Sequence, residues 1–329
     1  MKAVVMTRPG GPEVLTLREL PEPRIETDHQ VLIQVRAASV NPVDTKLRSR
    51  GLYLGEPPAI LGCDGAGVVE AVGPAVSRVK PGDEVFWCYG GLGQRAGSYA
   101  ERIVVPESCL AHKPRSLDFV AAAALPLVLI TAWESLFDRA RLCTGDKVLI
   151  HGGAGGVGHV AIQLAKARGA RVITTVTGAE KRALVESLGA DRAVDYREED
   201  VAQVVRDWSV AGVDIALDTV GGQTFVDTFP LVRFYGDLVT LLQPAADTDF
   251  KVARMRNLRI ALELMLSPQL FELDEALAHQ GEILRRGAEL VDEGRLRPEV
   301  SNTYPLAWAA EAHRRLEAGH SAGKLVLVI

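Results

Sequence analysis

A chain of 329 residues has room for about two domains, and 47% hydrophobic with 24% charged residues is the make-up of a folded protein, not a disordered one. With 37 Lys+Arg against 42 Asp+Glu the net charge is −5, which argues against nucleic acid as a partner because a phosphate-backbone binder needs a basic face. No apolar run reaches the roughly 18 residues that cross a bilayer, and the longest candidate, Val120 to Trp133, carries Pro126 in its middle. The amino terminus is too short in its apolar part for a signal peptide. Cys63, Cys88, Cys109 and Cys143 include no close pair, so neither a disulfide framework nor a finger-like metal site is expected. The expectation is a reduced, cytoplasmic protein with no membrane partner.

The first 110 residues read as short strands. Val4 to Met6, Val14 to Leu17, Val31 to Val35, Gly65 to Val72 and Glu84 to Trp87 are separated by Pro and Gly clusters such as Pro9-Gly10-Gly11-Pro12 and Pro81-Gly82-Asp83. Strands without long intervening helices predict a closed or partly closed antiparallel barrel. Near residue 120 the pattern changes. Strands at Val148 to His151, Arg171 to Val176, Ala193 to Tyr196, Val213 to Leu217 and Leu238 to Leu242 alternate with helices at Gly158 to Arg168 and Lys181 to Leu188. That spacing predicts the βαβ units of a doubly wound parallel sheet, so the fold class is α/β. The stretch Met255 to Glu272 has no motif and is read as helix lining a cleft or as a subunit contact. Beyond it come a long helix, Leu273 to Glu293, a shorter one, Ala307 to Ala318, and a last strand, Lys324 to Ile329.

The strongest chemical signal is Gly153-x-Gly155-x-x-Gly158, directly after one expected strand and directly before an expected helix. One glycine makes the tight turn, one admits a pyrophosphate close to the backbone, and one lets helix and strand pack together. The helix start then offers free N–H groups to phosphate. An NAD site wants a carboxylate at the end of the second strand for the ribose 2′-hydroxyl. Here Thr174 to Ala179 has none, and Lys181 follows, a pattern that favours NADPH because a lysine attracts a 2′-phosphate.

Together with the glycine loop, Asn41-Pro42-Val43-Asp44-Thr45-Lys46, Gly51-Leu52-Tyr53, Gly62-Cys63-Asp64-Gly65-Ala66-Gly67, Leu125-Pro126, Thr131-Ala132, Asp195-Tyr196-Arg197-Glu198 and Asp218-Thr219-Val220-Gly221-Gly222 resemble the medium-chain dehydrogenase/reductase superfamily, in its zinc-free quinone oxidoreductase (zeta-crystallin-like) branch, nearly end to end. The resemblance implies a GroES-like β-barrel catalytic domain from residues 1–123 and 266–329 and a Rossmann NADP-binding domain from 124–265, with the active site in the cleft and a homodimer or homotetramer as the assembly. It assigns Ala154 to Gly158, including Gly156 and Val157, to the pyrophosphate, Thr177 and Lys181 to the 2′-phosphate and Tyr196 to the adenosine end. Val220, Leu241, Leu242 and Gln243 would line the ribose and nicotinamide, although relatives often carry Gly where this chain has Leu242-Gln243.

The resemblance also frames the question of zinc. Where alcohol dehydrogenases hold the ion with Cys, His-Glu and Cys, this chain has Asn41, Cys63-Asp64 and Leu127, which lack the needed thiolates. Without a Lewis acid, hydride transfer to a plain ketone leaves a costly alkoxide. A quinone or activated enone spreads the charge itself, and a few donors suffice. The expected donors are Tyr53 and Asn41, with Thr131 a further candidate, while Asp44 reads as structural. The expected function is therefore an NADPH-dependent, zinc-independent reductase of quinones or activated enones. The alternatives are a 2-enoyl thioester reductase and a low-turnover NADPH-binding redox sensor. Gly319-His320-Ser321-Ala322-Gly323 spells the nucleophile elbow of a serine hydrolase, but helix precedes it and strand follows, the reverse of what that chemistry requires. His151 and His159 are read as loop and helix residues rather than ligands.

Overall fold

The computed structural model describes residues 1–319 and 322–329, and the chain divides into two compact units, Met1–Leu127 with Leu266–Ile329, and Val128–Met265. Ser321, the serine of the elbow-like motif, lies outside the described residues.

In the first unit β1 (Lys2–Met6) pairs antiparallel with β2 (Leu15–Glu19) and β4 (Ala59–Ile60) in a small sheet. The larger sheet is built on β3 (Gln30–Val40), whose inward residues alternate along the strand as a half-buried strand requires. β3 pairs with β5 (Asp64–Val72), which continues through β6 (Glu84–Cys88) to β8 (Leu110–His112), and also with β7 (Arg102–Pro106). Its other end takes the carboxyl-terminal strands, β15 (Val300–Pro305) beside β16 (Lys324–Val328). Every pair in it but β15–β16 is antiparallel, as the strand-rich beginning of the sequence implied. Ile33, Val69, Trp87 and Ile103 are core residues of this sheet. The helix α1 (Pro42–Arg50) follows β3 at once: Pro42 supplies the first helical position, where a missing N–H costs nothing, and Gly51 closes the helix at φ 111°. Short α2 (Phe119–Ala123) starts on Asp118, whose carboxylate accepts the Ala121 N–H at 2.8 Å. The chain passes from the first unit to the second within α3 (Pro126–Trp133).

The second unit is a six-stranded parallel sheet. Its order is β11 (Arg192–Asp195), β10 (Arg171–Val176), β9 (Lys147–Ile150), β12 (Val213–Asp218), β13 (Val232–Thr240), β14 (Arg259–Leu262). The crossovers carry α4 (Gly156–Ala167), α5 (Gly178–Ser187), α6 (Val201–Trp208), α7 (Gln223–Thr228) and α8 (Lys251–Met255). Val148, Leu149 and Ile150 are all fully buried, the uninterrupted apolar run of a parallel strand covered on both faces. The order reverses between β9 and β12, so the ends of β9, β10 and β12 surround the crevice where a doubly wound sheet binds ligands. One expectation is corrected here. Met255 to Glu272, read as helix lining a cleft or as a subunit contact, is helical only at its start and in the short α9 (Ser267–Leu270), and between them it supplies β14, the sixth strand. The four-residue strand carries Arg259 and is too short to show an alternating pattern. The chain is back in the first unit from Leu266, so α9, α10 (Asp274–Asp292) and α11 (Ala309–Glu317) belong to it. No helix among the described residues is long and apolar enough to cross a membrane.

Candidate active site

The glycine loop sits where the switch in strand order requires. A side chain at Gly153 would put its Cβ 2.1 Å from the Thr174 hydroxyl, and one at Gly158 would lie 2.3 Å from the Gly152 carbonyl oxygen. Both glycines are therefore demanded by the protein's own packing. A Cβ on Gly155 would meet only the Gly152 oxygen, at 3.2 Å. Gly155 is the N-cap of α4, and the first-turn N–H groups of Gly156, Val157 and Gly158 follow it, with Ala154 buried behind. The loop thus leaves room over Gly155 for a pyrophosphate at a helix start, and the residues present fit a dinucleotide.

His151 ties this loop to α7 by a chain of donors. Thr228 Oγ1 donates to the Thr224 carbonyl at 2.6 Å, so His151 Nε2 donates to Thr228 Oγ1 at 2.9 Å. The ring's Nδ1 then accepts from Thr175 Oγ1 at 3.4 Å, and that hydroxyl accepts the Gly152 N–H at 3.0 Å. Burial pushes the imidazole down to about 4, against the pull of Asp218 and Asp227, so it is neutral and holds one tautomer. His159 is buried, with Nδ1 3.0 Å from the Gly155 carbonyl. His151 stands in the turn after β9 and His159 in α4, the loop and helix positions the sequence suggested.

Asp218, whose role the sequence did not disclose, shapes the far side. Its Oδ1 accepts the Val220 and Gly221 N–H groups at 2.9 and 2.8 Å, and Oδ2 accepts the Thr240 hydroxyl at 2.8 Å. This binds the turn after β12 to the end of β13 and leaves Val220 exposed. Leu241 and Leu242 are half-buried and Gln243 is exposed. A Cβ on Gly221 would lie 2.8 Å from that of Leu242, so Leu242 packs over this glycine turn. Thr177 stands at the junction of β10 and α5 with Lys181 one turn on, both half-buried. Asp195 supports that junction from β11: its carboxylate accepts the Gly178 N–H at 2.6 Å and the Arg197 N–H at 3.1 Å, and these bonds hold its pKa below the usual range. No carboxylate follows β10 directly. Tyr196 is exposed and lines, with Val220, Thr175 and Gly152, a cavity of about 630 Å³.

In the first unit Asn41 and Cys63-Asp64 lie within one buried polar knot. Asp64 Oδ1 accepts Ser39 Oγ at 2.6 Å and Asn41 Nδ2 at 3.0 Å, and Oδ2 accepts the Leu127 N–H at 3.1 Å. Asn41 Nδ2 also donates to Ser39 Oγ at 3.3 Å, and the Lys324 ammonium donates to Asn41 Oδ1. Burial pushes Asp64 up and Lys324 down, while each opposes the other's shift. The expectation for Asn41 is corrected: it is fully buried, and its amide nitrogen faces Ser39 and Asp64 inside the knot rather than solvent. The set does not fit zinc either. Asp64 already accepts three hydrogen bonds, Asn41 and Leu127 offer no thiolate, and an ammonium already supplies the positive charge.

Asp44 borders the knot. Oδ2 accepts the Asn41 N–H at 2.7 Å and the Tyr99 hydroxyl at 3.2 Å, Tyr99 reaches His313 Nε2 at 3.1 Å, and the Cys63 thiol lies 3.8 Å from Oδ1. Burial, with Asp64 nearby, raises Asp44 to about 7. Its role is structural, as read. Tyr53 follows Gly51 in the loop after α1 and is 51% exposed. The loop is pinned by the Leu54 N–H to the Leu92 carbonyl at 3.1 Å. Thr131 stands on α3 in the second unit and is buried.

Comparison with known proteins agrees with this architecture. An alcohol dehydrogenase GroES-like domain model matches residues 27–115, and a zinc-binding dehydrogenase model matches 188–327. Human quinone oxidoreductase is 33% identical over 100% of this chain and 98% of its own length. A chloroplastic NADPH-dependent alkenal/one oxidoreductase of Arabidopsis thaliana is 34% identical over 99% of this chain and 79% of its own. Among solved structures, quinone oxidoreductase of Escherichia coli, complexed with NADPH, superposes with a TM-score of 0.87 at 27% identity, covering 100% of both chains. With its glycine loop, its GroES-like sheet and these full-length likenesses, the chain belongs to the zinc-free quinone oxidoreductase branch of the medium-chain dehydrogenase/reductase superfamily and is an NAD(P)H-dependent oxidoreductase.

Proposed function

We propose that this enzyme uses NADPH to reduce quinones and activated enones, without a metal. The observation that carries the reading is the buried Asp64 knot, in which Asp64 accepts three hydrogen bonds, Asn41 is enclosed and Lys324 provides the cation. A metal-free pocket of this kind favours acceptors that delocalise the charge a hydride brings, as a phenolate or an enolate does. The cofactor, when bound, supplies the hydride from C4 of its nicotinamide. The chain's own residues do the rest: the α4 start and Gly155 hold the pyrophosphate, Thr177 and Lys181 take the 2′-phosphate, and Tyr196 with Val220 receives the adenosine. Leu241 to Gln243 flank the ribose and nicotinamide. Tyr53, half exposed in the loop after α1, donates to the acceptor's oxygen and protonates the enolate. The likeness to quinone and alkenal/one oxidoreductases supports the substrate class.

The test is a panel of NADPH-oxidation assays with 1,4-benzoquinone, an alkyl enone, crotonyl thioester and a simple aliphatic ketone. Turnover with the quinone and enone and none with the ketone is expected, and Tyr53→Phe should lower the enone rate more than the quinone rate, since quinones need less proton help. Brisk ketone reduction, or a preference for the thioester, would reject the reading.

We also propose that the chain self-associates through β14. This strand ends the parallel sheet, and Leu262 and Leu264 beside it are 55% and 48% exposed, an apolar edge suited to a second copy.

A further inference from the structure

The cavity of about 630 Å³ in the second unit opens beside Gly152 and has a polarity of its own. Its lining includes three carboxylates, Glu199, Asp200 and Asp227, with the neutral His151, and no lysine or arginine. Glu199 is ion-paired with Arg182 and Arg192, but the two carboxylates without such partners, Asp200 and Asp227, make the chamber repel phosphate and favour a neutral ring that carries hydrogen-bond donors, with Tyr196 and Val220 offering apolar surface to its faces. The phosphates therefore belong outside, at the α4 start and Lys181, and the base inside. Of the carboxylates, Glu199 is committed to Arg182, Arg192 and the Asp195 N–H, and Asp200 Oδ1 caps α6 through the Gln203 N–H at 3.1 Å. Asp227 accepts Gln223 Nε2 on Oδ1 at 2.8 Å and, like Asp200, accepts no hydrogen bond on Oδ2 among the described residues, so position decides between the two. Asp227 also stands within electrostatic reach of His151, and so at the end of the cavity next to the glycine loop.

We propose that Asp227 accepts the exocyclic N6 amine of the cofactor's adenine, so that this chain selects the base as well as the phosphate. The proposal rests on the NADPH reading above. Adenine presents two N6 hydrogens and suits a carboxylate acceptor. Hypoxanthine presents a carbonyl oxygen at the same position, which the carboxylate repels. An asparagine in its place can accept from the amine through Oδ1 or donate to the carbonyl through Nδ2, and it loses the discrimination.

The test measures dissociation constants of NADPH and of its deamino analogue, with hypoxanthine for adenine, by fluorescence titration of wild type and Asp227→Asn, with no turnover needed. Wild type should bind NADPH about tenfold more tightly than the analogue, and the variant should bring the ratio below about threefold while still binding NADPH. Equal binding of both ligands by wild type, or an unchanged ratio in the variant, overturns the assignment and leaves the NADPH reading standing. Failure of wild type to bind NADPH at all overturns both.

Discussion

Lys181 and Asn41 show what a single residue does and does not disclose. Lys181 follows a strand end without a carboxylate, and both facts are local in sequence, so its nomination for the 2′-phosphate could be read directly from Thr174 to Lys181. A charge-assisted contact to phosphate is worth about 1.5–3 kcal/mol, and NADH lacks the group that makes it. Lys181→Ala should therefore weaken NADPH binding by ~10- to 100-fold and leave NADH binding within about twofold, as measured by titration of cofactor fluorescence. An equal loss for both cofactors would remove Lys181 from the phosphate site. Asn41 is the opposite case. Its partners lie 23 and 283 residues away, at Asp64 and Lys324, and no spacing rule brings them together. Its polarity and family position suggested a donor, and only the fold reveals that it is fully buried against Ser39, Asp64 and Lys324.

At the scale of elements, alternation and glycine punctuation made the long strands legible: β3, β9, β10 and β12 lie where their apolar runs fall. β14 was not legible, because four residues including Arg259 carry no period and its strand character comes from pairing with β13. The capping of α1 is also tertiary in consequence. Asp44 takes the Asn41 N–H at the helix start, but its environment is set by Tyr99, Cys63, Asp64 and Lys324 from other elements. With a folded pKa of about 7 against an ordinary 3.8, Asp44 binds its proton more tightly in the folded chain. Its contribution to stability is thus fully present below about pH 4 and is lost as pH rises to about 7. His151 and His313, lowered to about 4 and about 3, run the other way, their contribution growing as pH rises toward 6.5. Asp44→Asn keeps the acceptor and removes the titration. Denaturant unfolding of both proteins between pH 4 and 8 should show the stability of wild type minus variant falling with pH, by ~4 kcal/mol at most, and levelling above about pH 7. A difference that stays flat across this range would contradict the raised pKa.

For the molecule as a whole, the division of labour could be read from one change of rhythm near residue 120, where short strands give way to strand–helix alternation. The return of the chain to the first unit at Leu266 came from the family resemblance and from no local pattern, because β16 joins β3 with Leu325 facing Val40, 285 residues earlier. Assembly sits at the same level. A parallel sheet that ends on β14 leaves one row of backbone N–H and C=O groups unpaired, and Leu262 and Leu264 put apolar surface in the same place. A second copy related by a two-fold axis would cover both features at once, since an isologous interface sets each edge against its own image. Leu262→Lys sets two like charges against each other across that axis while costing the single chain little, because the residue is 55% exposed. Light scattering on the eluting protein should then find wild type as a dimer or tetramer and the variant shifted to a smaller species with an unchanged far-ultraviolet spectrum. A wild type that elutes as a monomer, or a variant that keeps the wild-type mass, would move the contact away from β14.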